Sequence, residues 1–328
     1  MILKNKFSMY IKIKYGFLII FFYNLLFNKT YKNSHFINIA MSLDNNYTYP
    51  IMVSITSILF NLNKNTFIHF HLLIGNDFEI ENQYKIMSLK SINNNTNFTF
   101  YNVGNNFNGW IHRRKKLTVV TFYRIILGEL IKNVDKIIYL DGDTLIYGDI
   151  SVMYQLNMDN LYFRGIREIL SEDYKPEIDG SRFICAGVML MNLKLIREEH
   201  LFDTFKKYYF NFFDKIIYLD EQHIINALFK DKINFLPPKF GIWFMCENNI
   251  KKYKSLKPLI YTRNTLRNAN KRPIIRHLWG ITEEGFDLTE KPWQLKQTCK
   301  IKKEWQFYAK KTGYYAYICK YFENACLN

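Results

Sequence analysis

Apolar runs of strand length alternate with stretches of helical spacing over most of this chain, and that alternation leaves few folds open. Phe36-Ile-Asn-Ile-Ala-Met-Ser-Leu43 reads as a buried strand ending in the polar turn Asp44-Asn45-Asn46. Pro50 opens a helix, residues 51–62 carry apolar side chains at helical spacing, and Phe67-Ile-His-Phe-His-Leu-Leu-Ile74 reads as a second strand. Together they make a βαβ unit. A helix near 79–92, an Asn-rich loop and a strand over 98–103 continue the pattern. A helix over about 119–132 then feeds a strand that ends at Asp141. Farther on, Ile184 to Asn192 reads as a strand, Leu193 to Phe213 as helical and Glu221 to Phe229 as a short helix. Parallel strands joined by helical crossovers need cover on both faces, so the expected class is α/β, a doubly wound and mostly parallel sheet. With 328 residues, 48% of them hydrophobic, one large core is within reach. No internal repeat and no Pro/Gly-rich linker appears before about residue 237, which predicts a single domain.

Charge and cysteine usage narrow the partners. A net charge of +16 attracts polyanions: phosphate-bearing small molecules, anionic lipid or nucleic acid. The five cysteines, Cys185, Cys246, Cys299, Cys319 and Cys326, are odd in number, widely spaced and without a CxxC pair. That usage argues against a disulfide framework and against a zinc site, and points to a reducing, cytoplasmic setting. In the leader, Lys4, Lys6, Lys12 and Lys14 precede the apolar run Gly16 to Phe27, as in the charged and apolar regions of a signal sequence. The run is shorter than the roughly 20 apolar residues of a spanning helix, and no small-residue cleavage site follows. Residues 1–35 are therefore read as an N-terminal extension or a membrane anchor.

The chemistry concentrates after the strand that ends at Leu140. In Asp141-Gly142-Asp143 two carboxylates lie one residue apart, and on extended backbone side chains at i and i+2 point the same way. Hard oxygen donors at the carboxyl edge of a strand suit Mg²⁺ or Mn²⁺, in the crevice where open α/β sheets bind ligands. An Asp-Gly turn explains the same residues without a metal. Asp44 and Asn46 follow the first strand with no Gly-rich phosphate loop. They can read the edge of a base or form an Asx turn into the helix. Phosphates, if bound, would then rely on the metal, which as a Lewis acid would ease departure of a diphosphate. Arg124 lies among Phe122, Tyr123, Ile125 and Ile126, and an arginine in such surroundings needs an anionic partner.

These residues resemble glycosyltransferase family 8, which includes lipopolysaccharide galactosyl- and glucosyltransferases and, more distantly, glycogenin. The resemblance rests on Met41-Ser-Leu-Asp-Asn-Asn-Tyr47, Phe122-Tyr-Arg-Ile-Ile-Leu-Gly128, Tyr139-Leu-Asp-Gly-Asp143, Ala186-Gly-Val-Met-Leu-Met-Asn-Leu193, and His277 with Lys291-Pro-Trp293. It runs in the family's order from about residue 36 to 293. It implies a GT-A type domain over 36–293 and a retaining, metal-dependent transfer of glucose or galactose from a UDP-sugar to a glycan or glycolipid such as lipopolysaccharide. By the same resemblance Asp141, Asp143 and His277 hold Mn²⁺, with Mg²⁺ as the alternative. Imidazole beside carboxylates suits Mn²⁺ better, although His277 in its apolar setting also reads as a core histidine. Ser42, Asp44, Asn46 and Tyr47 fall where the family holds the nucleotide. Arg124, Gly142, Cys185, Ala186, Gly187, Gly280 and Lys291 fall along the rest of the donor, with Lys291 at the diphosphate. Gln222 and Glu221, with Asp220 beside them, match the catalytic pair near the anomeric carbon.

Two departures from the family pattern fall on the sugar side and one near the diphosphate. Aligned on Gln222 and Asn226, the chain has Glu221 where the family has Asp and His223 where a second Asp is common. Asp220 can supply the missing carboxylate, and acids at the start of a helix also complement its N-terminal charge. Cys185 stands where the family has Asn, and a thiol lacks the donors and acceptor of an amide. The gap between His277 and Lys291 is long, and Glu283, Glu284 and Asp287 within it are expected to point outward. The tail, 294–328, interleaves lysines with Trp305, Phe307, Tyr308, Tyr314, Tyr315 and Tyr317 and contains the helical stretch Glu304 to Lys311. Such a segment suits an anionic membrane surface, which predicts peripheral membrane association, and equally a helix packed on the domain with a solvated lysine face. No nucleic-acid partner is expected. The competing readings are a metal-dependent nucleotidyltransferase, which would normally carry a Gly-rich first loop, and a catalytically altered basic and aromatic binding protein for membranes or polyanions.

Overall fold

The structure is a computed structural model and describes residues 35–112, 117–168, 182–216, 220–241, 260–278 and 290–326. The leader, Gly280 and the acidic loop with Glu283, Glu284 and Asp287 lie outside the described residues. The βαβ reading holds through the first third: β1 (His35–Ser42), α1 (Thr48–Asn61), β2 (Thr66–Ile74), α2 (Ile80–Met87) and β3 (Thr96–Asn102) follow in that order. Both β1–β2 and β2–β3 are parallel. The helix expected over 119–132 is a 3₁₀ segment, Val119–Ile126, continued by the short α3 (Leu127–Leu130). β-Branched and aromatic residues fill its first half and lower its α-helical propensity.

β4 (Lys136–Leu140) returns to the other side of β1, parallel to it. There follow β5 (Thr144–Ile146), α4 (Ser151–Tyr154), β6 (Phe163–Arg167), β7 (Ile184–Asn192), α5 (Leu193–Glu198), α6 (Leu201–Phe212), α7 (Glu221–Leu228), β8 (Ile233–Phe235), α8 (Arg263–Lys271), β9 (Ile275–His277), α9 (Lys300–Lys311) and α10 (Tyr315–Tyr321). Among the described residues seven strands form one sheet in the order β3-β2-β1-β4-β7-β6-β8, and only β7 runs antiparallel to its neighbours β4 and β6. The chain winds one way from β1 to β2 and the other way to β4, so a switch point opens at the carboxyl ends of β1 and β4. Those ends carry Asp44 and Asp141.

One face of the sheet packs α1 and the C-terminal helices, with Ile51, Ile55, Ile58 and Trp305 in a common core. The other face packs the 119–126 segment and α5 to α7, through Phe122, Leu193, Phe205 and Ile224. The helix expected over 193–213 breaks at His200, whose φ of 51° is left-handed and incompatible with a continuous α-helix. The cysteine expectation needs a correction: Cys319 and Cys326 are disulfide-bonded, with Cα atoms 5.4 Å apart. The end of α10 folds the chain back, so a spacing that looks wide in sequence is short in space. Cys185 and Cys299 are free thiols, and Cys246 lies outside the described residues. Among the described residues no helix is long and apolar enough to cross a membrane.

A polar seam crosses the sheet at β2. Asn38 Oδ1 lies 2.9 Å from His71 Nε2, and the Tyr101 hydroxyl lies 3.0 Å from His71 Nδ1. An amide oxygen only accepts, so Nε2 carries the proton and Nδ1 accepts from Tyr101. Burial pushes the His71 pKa down to about 3, with His69 stacked at 4.1 Å adding to the effect. The unfolded chain therefore takes up a proton near pH 6.5 that the folded chain refuses until about pH 3. Stability from this group is complete above pH 6.5 and is lost as pH falls below it, by roughly 3 kcal/mol at pH 4.5. Urea midpoints measured from pH 7 to 4.5 should show this slope, and His71→Gln should flatten it.

Candidate metal centre and its surroundings

Backbone hydrogen bonds aim both aspartates into the crevice. Asp141 N–H donates to the Gly187 carbonyl at 2.8 Å, and Leu278 N–H donates to the Asp143 carbonyl at 2.8 Å. Thr144 Oγ1 donates to the Asp141 carbonyl at 2.9 Å, closing the turn. Gly142 passes against α1 so closely that a Cβ would lie 2.6 Å from Ile51 and 2.9 Å from Tyr47. β5 and β9 then pair antiparallel, with Thr144 opposite His277. His277 Nε2 lies 3.2 Å from Asp143 Oδ1 and 3.8 Å from Asp141 Oδ2. One ligating atom from each of Asp141, Asp143 and His277 falls within 4.8 Å of the others.

The donor set fits a hard divalent cation: two carboxylates and an imidazole on one side of the crevice. The space is kept open by Gly187, where a Cβ would meet His277 Cε1 at 2.3 Å and Asp141 Oδ2 at 2.6 Å. Lys291 Nζ lies 2.6 Å from Asp143 Oδ2 and donates to the Leu278 carbonyl at 2.9 Å. Burial works to raise the Asp143 pKa, but Lys291 and His277 outweigh it and hold the carboxyl well below the usual range. Gly187→Ala should push these ligands apart and weaken divalent-cation binding at least about tenfold. Mn²⁺ titration by electron paramagnetic resonance, with circular dichroism to confirm folding, measures this.

Arg124 is the hub beside the metal centre and is 3% exposed. Nε donates to the Thr121 carbonyl at 2.8 Å, a bond made by the 3₁₀ winding. Nη1 donates to the Ala186 carbonyl at 2.5 Å, and Nη2 donates to Asp141 Oδ1 at 2.8 Å while lying 3.4 Å from Glu221 Oε1. The Tyr139 ring stacks on its guanidinium at 4.4 Å. The anionic partners that the apolar neighbourhood of Arg124 demanded are thus Asp141 and Glu221. Burial pushes the Glu221 carboxyl up to about 7 against the opposing pull of Arg124, with Asp220 and Asp141 adding to the rise. Among the described residues its buried Oε2 has no hydrogen-bond partner.

The other sugar-side residues divide. Asp220 caps α7, accepting from His223 N–H at 2.7 Å, as the helix-terminus reading expects. Gln222 Oε1 accepts from Ala186 N–H at 2.9 Å, and its Nε2 donates to Glu168 Oε2 at 3.0 Å. Cys185 Sγ lies 3.6 Å from His277 Nδ1, the ring nitrogen away from the aspartates. On the nucleotide side, Ser42 is buried at the end of β1. Asp44 accepts from Tyr47 N–H at 3.0 Å as the cap of a 3₁₀ turn, and burial raises its pKa. Asn46 is exposed and its amide oxygen accepts from the Tyr321 hydroxyl at 2.9 Å, while Tyr47 packs edge-on against Trp293 at 5.8 Å. Sequence reasoning missed Thr144, Glu168 and Tyr321. Thr144 opens a strand of three residues, too short to show a period, Glu168 lies just past the end of β6, and Tyr321 reaches Asn46 from the far end of the chain.

Comparison with known proteins bears on the family and the fold. The model of Glycosyl transferase family 8 matches residues 38–282. A Haemophilus influenzae protein, provisionally described as a glycosyltransferase, is 29% identical over 227 residues, covering 67% of each chain. The lipopolysaccharide 1,2-glucosyltransferase of Escherichia coli K12 is 22% identical over 258 residues, 76% of this chain and 75% of that one. The galactosyltransferase LgtC, solved with donor and acceptor sugar analogues, superposes with a TM-score of 0.67 at 22% identity over 84% of this chain and 96% of its own. The bifunctional glycosyltransferase WbbM superposes with a TM-score of 0.68 at 20% identity, and this chain spans about half of it, 52%. The fold is accordingly of the GT-A type. With an aspartate pair, a histidine and a lysine gathered at the switch point, and a family match spanning most of the sheet that positions them, the chain belongs to glycosyltransferase family 8.

Proposed function

We propose that this glycosyltransferase moves a hexose, glucose or galactose, from a UDP-sugar to a glycan or glycolipid acceptor, with retention at the anomeric carbon and dependence on Mn²⁺ or Mg²⁺. The observation that carries the reading is the convergence of Asp141, Asp143 and His277 with Lys291 on one crevice. A divalent ion held there would neutralise the diphosphate and assist its departure. Lys291 is placed to exchange its contact with Asp143 for the leaving diphosphate. Arg124 keeps Asp141 in position through the contact of its Nη2 with Oδ1. Glu221, with a carboxyl near pKa 7, is suited to a sugar hydroxyl as either donor or acceptor. Gln222 orients the sugar, Asp44 and Tyr47 line the end of β1 where the nucleotide would lie, and Gly280 remains a candidate donor contact. The acceptor would be a membrane-borne glycolipid such as lipopolysaccharide, approached by the lysines and aromatics of α9 and α10 from the cytoplasmic side.

A donor screen tests this directly. UDP release from UDP-glucose and UDP-galactose is measured with Mn²⁺, with Mg²⁺ and with chelator, and the anomer of the product is read by proton NMR. We expect one UDP-hexose to be turned over with metal only and with retention. Turnover unaffected by chelator, or an inverted product, would overturn the mechanism.

A further inference from the structure

A slip in the sheet exposes the backbone that Gln222 binds. Between β6 and β7, Gly165 pairs with Met189 and Arg167 with Ile184, so β7 advances five residues while β6 advances two. Such an irregularity withdraws backbone groups from the ladder and re-aims the chain. Ala186 lies inside it, and both of its backbone polar groups are taken by side chains: its N–H by Gln222 Oε1 at 2.9 Å, its carbonyl by Arg124 Nη1 at 2.5 Å. The Gln222 amide cannot be flipped, because a backbone N–H requires its oxygen and the Glu168 carboxylate requires its NH₂. One chain of hydrogen bonds thus runs from the metal ligand Asp141 through Arg124, Ala186 and Gln222 to Glu168.

We infer that Glu168 is a positioning residue for Gln222: its carboxylate locks the amide so that Oε1 faces β7 and polarises it, making that oxygen a stronger stabiliser of positive charge on the sugar. A carboxylate accepting from Nε2 draws the amide N–H and shifts electron density onto Oε1, as in any cooperative hydrogen-bond chain. Charge-assisted bonds are about twice as strong as neutral ones, so a neutral acceptor at 168 would hold the amide less firmly. Position and charge can therefore be separated. In Glu168→Gln an amide oxygen can still accept from Nε2 without the charge, whereas Glu168→Ala removes both. The inference rests on the proposed sugar transfer, in which Gln222 lies by the anomeric carbon.

The test uses the full chain with Mn²⁺ and the UDP-hexose found in the donor screen. Glu168→Ala should lower kcat about a hundredfold and Glu168→Gln about tenfold, a scale set by the cost of displacing a reacting group by about an ångström. KM for the donor and Mn²⁺ affinity by electron paramagnetic resonance should stay within about threefold of the parent, since neither uniform binding nor metal ligation is touched. A Glu168→Ala enzyme with kcat within threefold of the parent would overturn the inference, as would a loss traced to Mn²⁺ affinity. A second readout needs no turnover: the side-chain NH₂ signal of Gln222 in ¹⁵N–¹H spectra, identified by its disappearance in Gln222→Glu. It should shift in Glu168→Gln and move to a solvent-exchanging position in Glu168→Ala, and an unmoved signal would remove the pairing even if no UDP-sugar proved to be a donor.

Discussion

Asp143→Asn is expected to lower the proposed metal-dependent UDP release at least about a thousandfold, on the scale of removing a principal electrostatic group from an active site. Asp143 faces both His277 Nε2 at 3.2 Å and Lys291 Nζ at 2.6 Å, and it is 7% exposed. An amide of the same shape cannot offer an anionic ligand, and it leaves two positive groups facing a neutral oxygen. The fold should survive, because Lys291 can swing to solvent and His277 can give up its proton. Mn²⁺ binding by electron paramagnetic resonance separates the outcomes, since wild-type affinity in the variant would place the metal elsewhere. The parent carries a linked signature. Its Asp143 pKa is depressed, so the stability it contributes is complete above about pH 4 and is lost as pH falls toward the folded-state value. The variant should lack this part of the acid transition.

Arg124→Met should destabilise the protein by about 3–5 kcal/mol, the usual cost of removing one partner from a buried ion pair. Asp141 and Glu221 would then face each other without the cation between them, and the Glu221 carboxyl would lose the charge that opposes its upward shift. Arg124→Lys should recover little. A single ammonium cannot reach Thr121, Ala186 and Asp141 together, which the guanidinium fork does in one plane. Urea denaturation gives the stability change, and Mn²⁺ affinity gives the effect on Asp141. A lysine variant with parental stability would show that charge alone, without the fork, holds this site together.

Much of the crevice was legible because local rules happen to encode it. Asp141 and Asp143 share a direction through the two-residue period of extended chain. Asp44 follows a strand that any α/β reading finds, and Arg124 sits among residues too apolar for an unpaired charge. Other parts had no local signal. His277 was reached only through the family resemblance, because β9 is three residues long and exists by pairing with β5. The 3₁₀ winding at 119–126 and the left-handed break at His200 were both read as ordinary helix, since apolar spacing does not distinguish a 3₁₀ turn or predict a single positive φ. Cys319 and Cys326 were read as unpaired for the same reason: only the fold-back after α10 brings them together.

The sequence by itself determined the strands β1 to β4 and β7, the sidedness of the crevice and the identity of its carboxylates, because burial and backbone period act over neighbouring residues. Only the tertiary structure decided that Arg124 binds Asp141 and Ala186, that Gln222 is held between Ala186 and Glu168, and that Gly187 leaves room for His277. Each of those contacts joins residues on different strands and helices. Their distances are set by the sheet's register and by one slip in it, and neither is written in any local run of side chains.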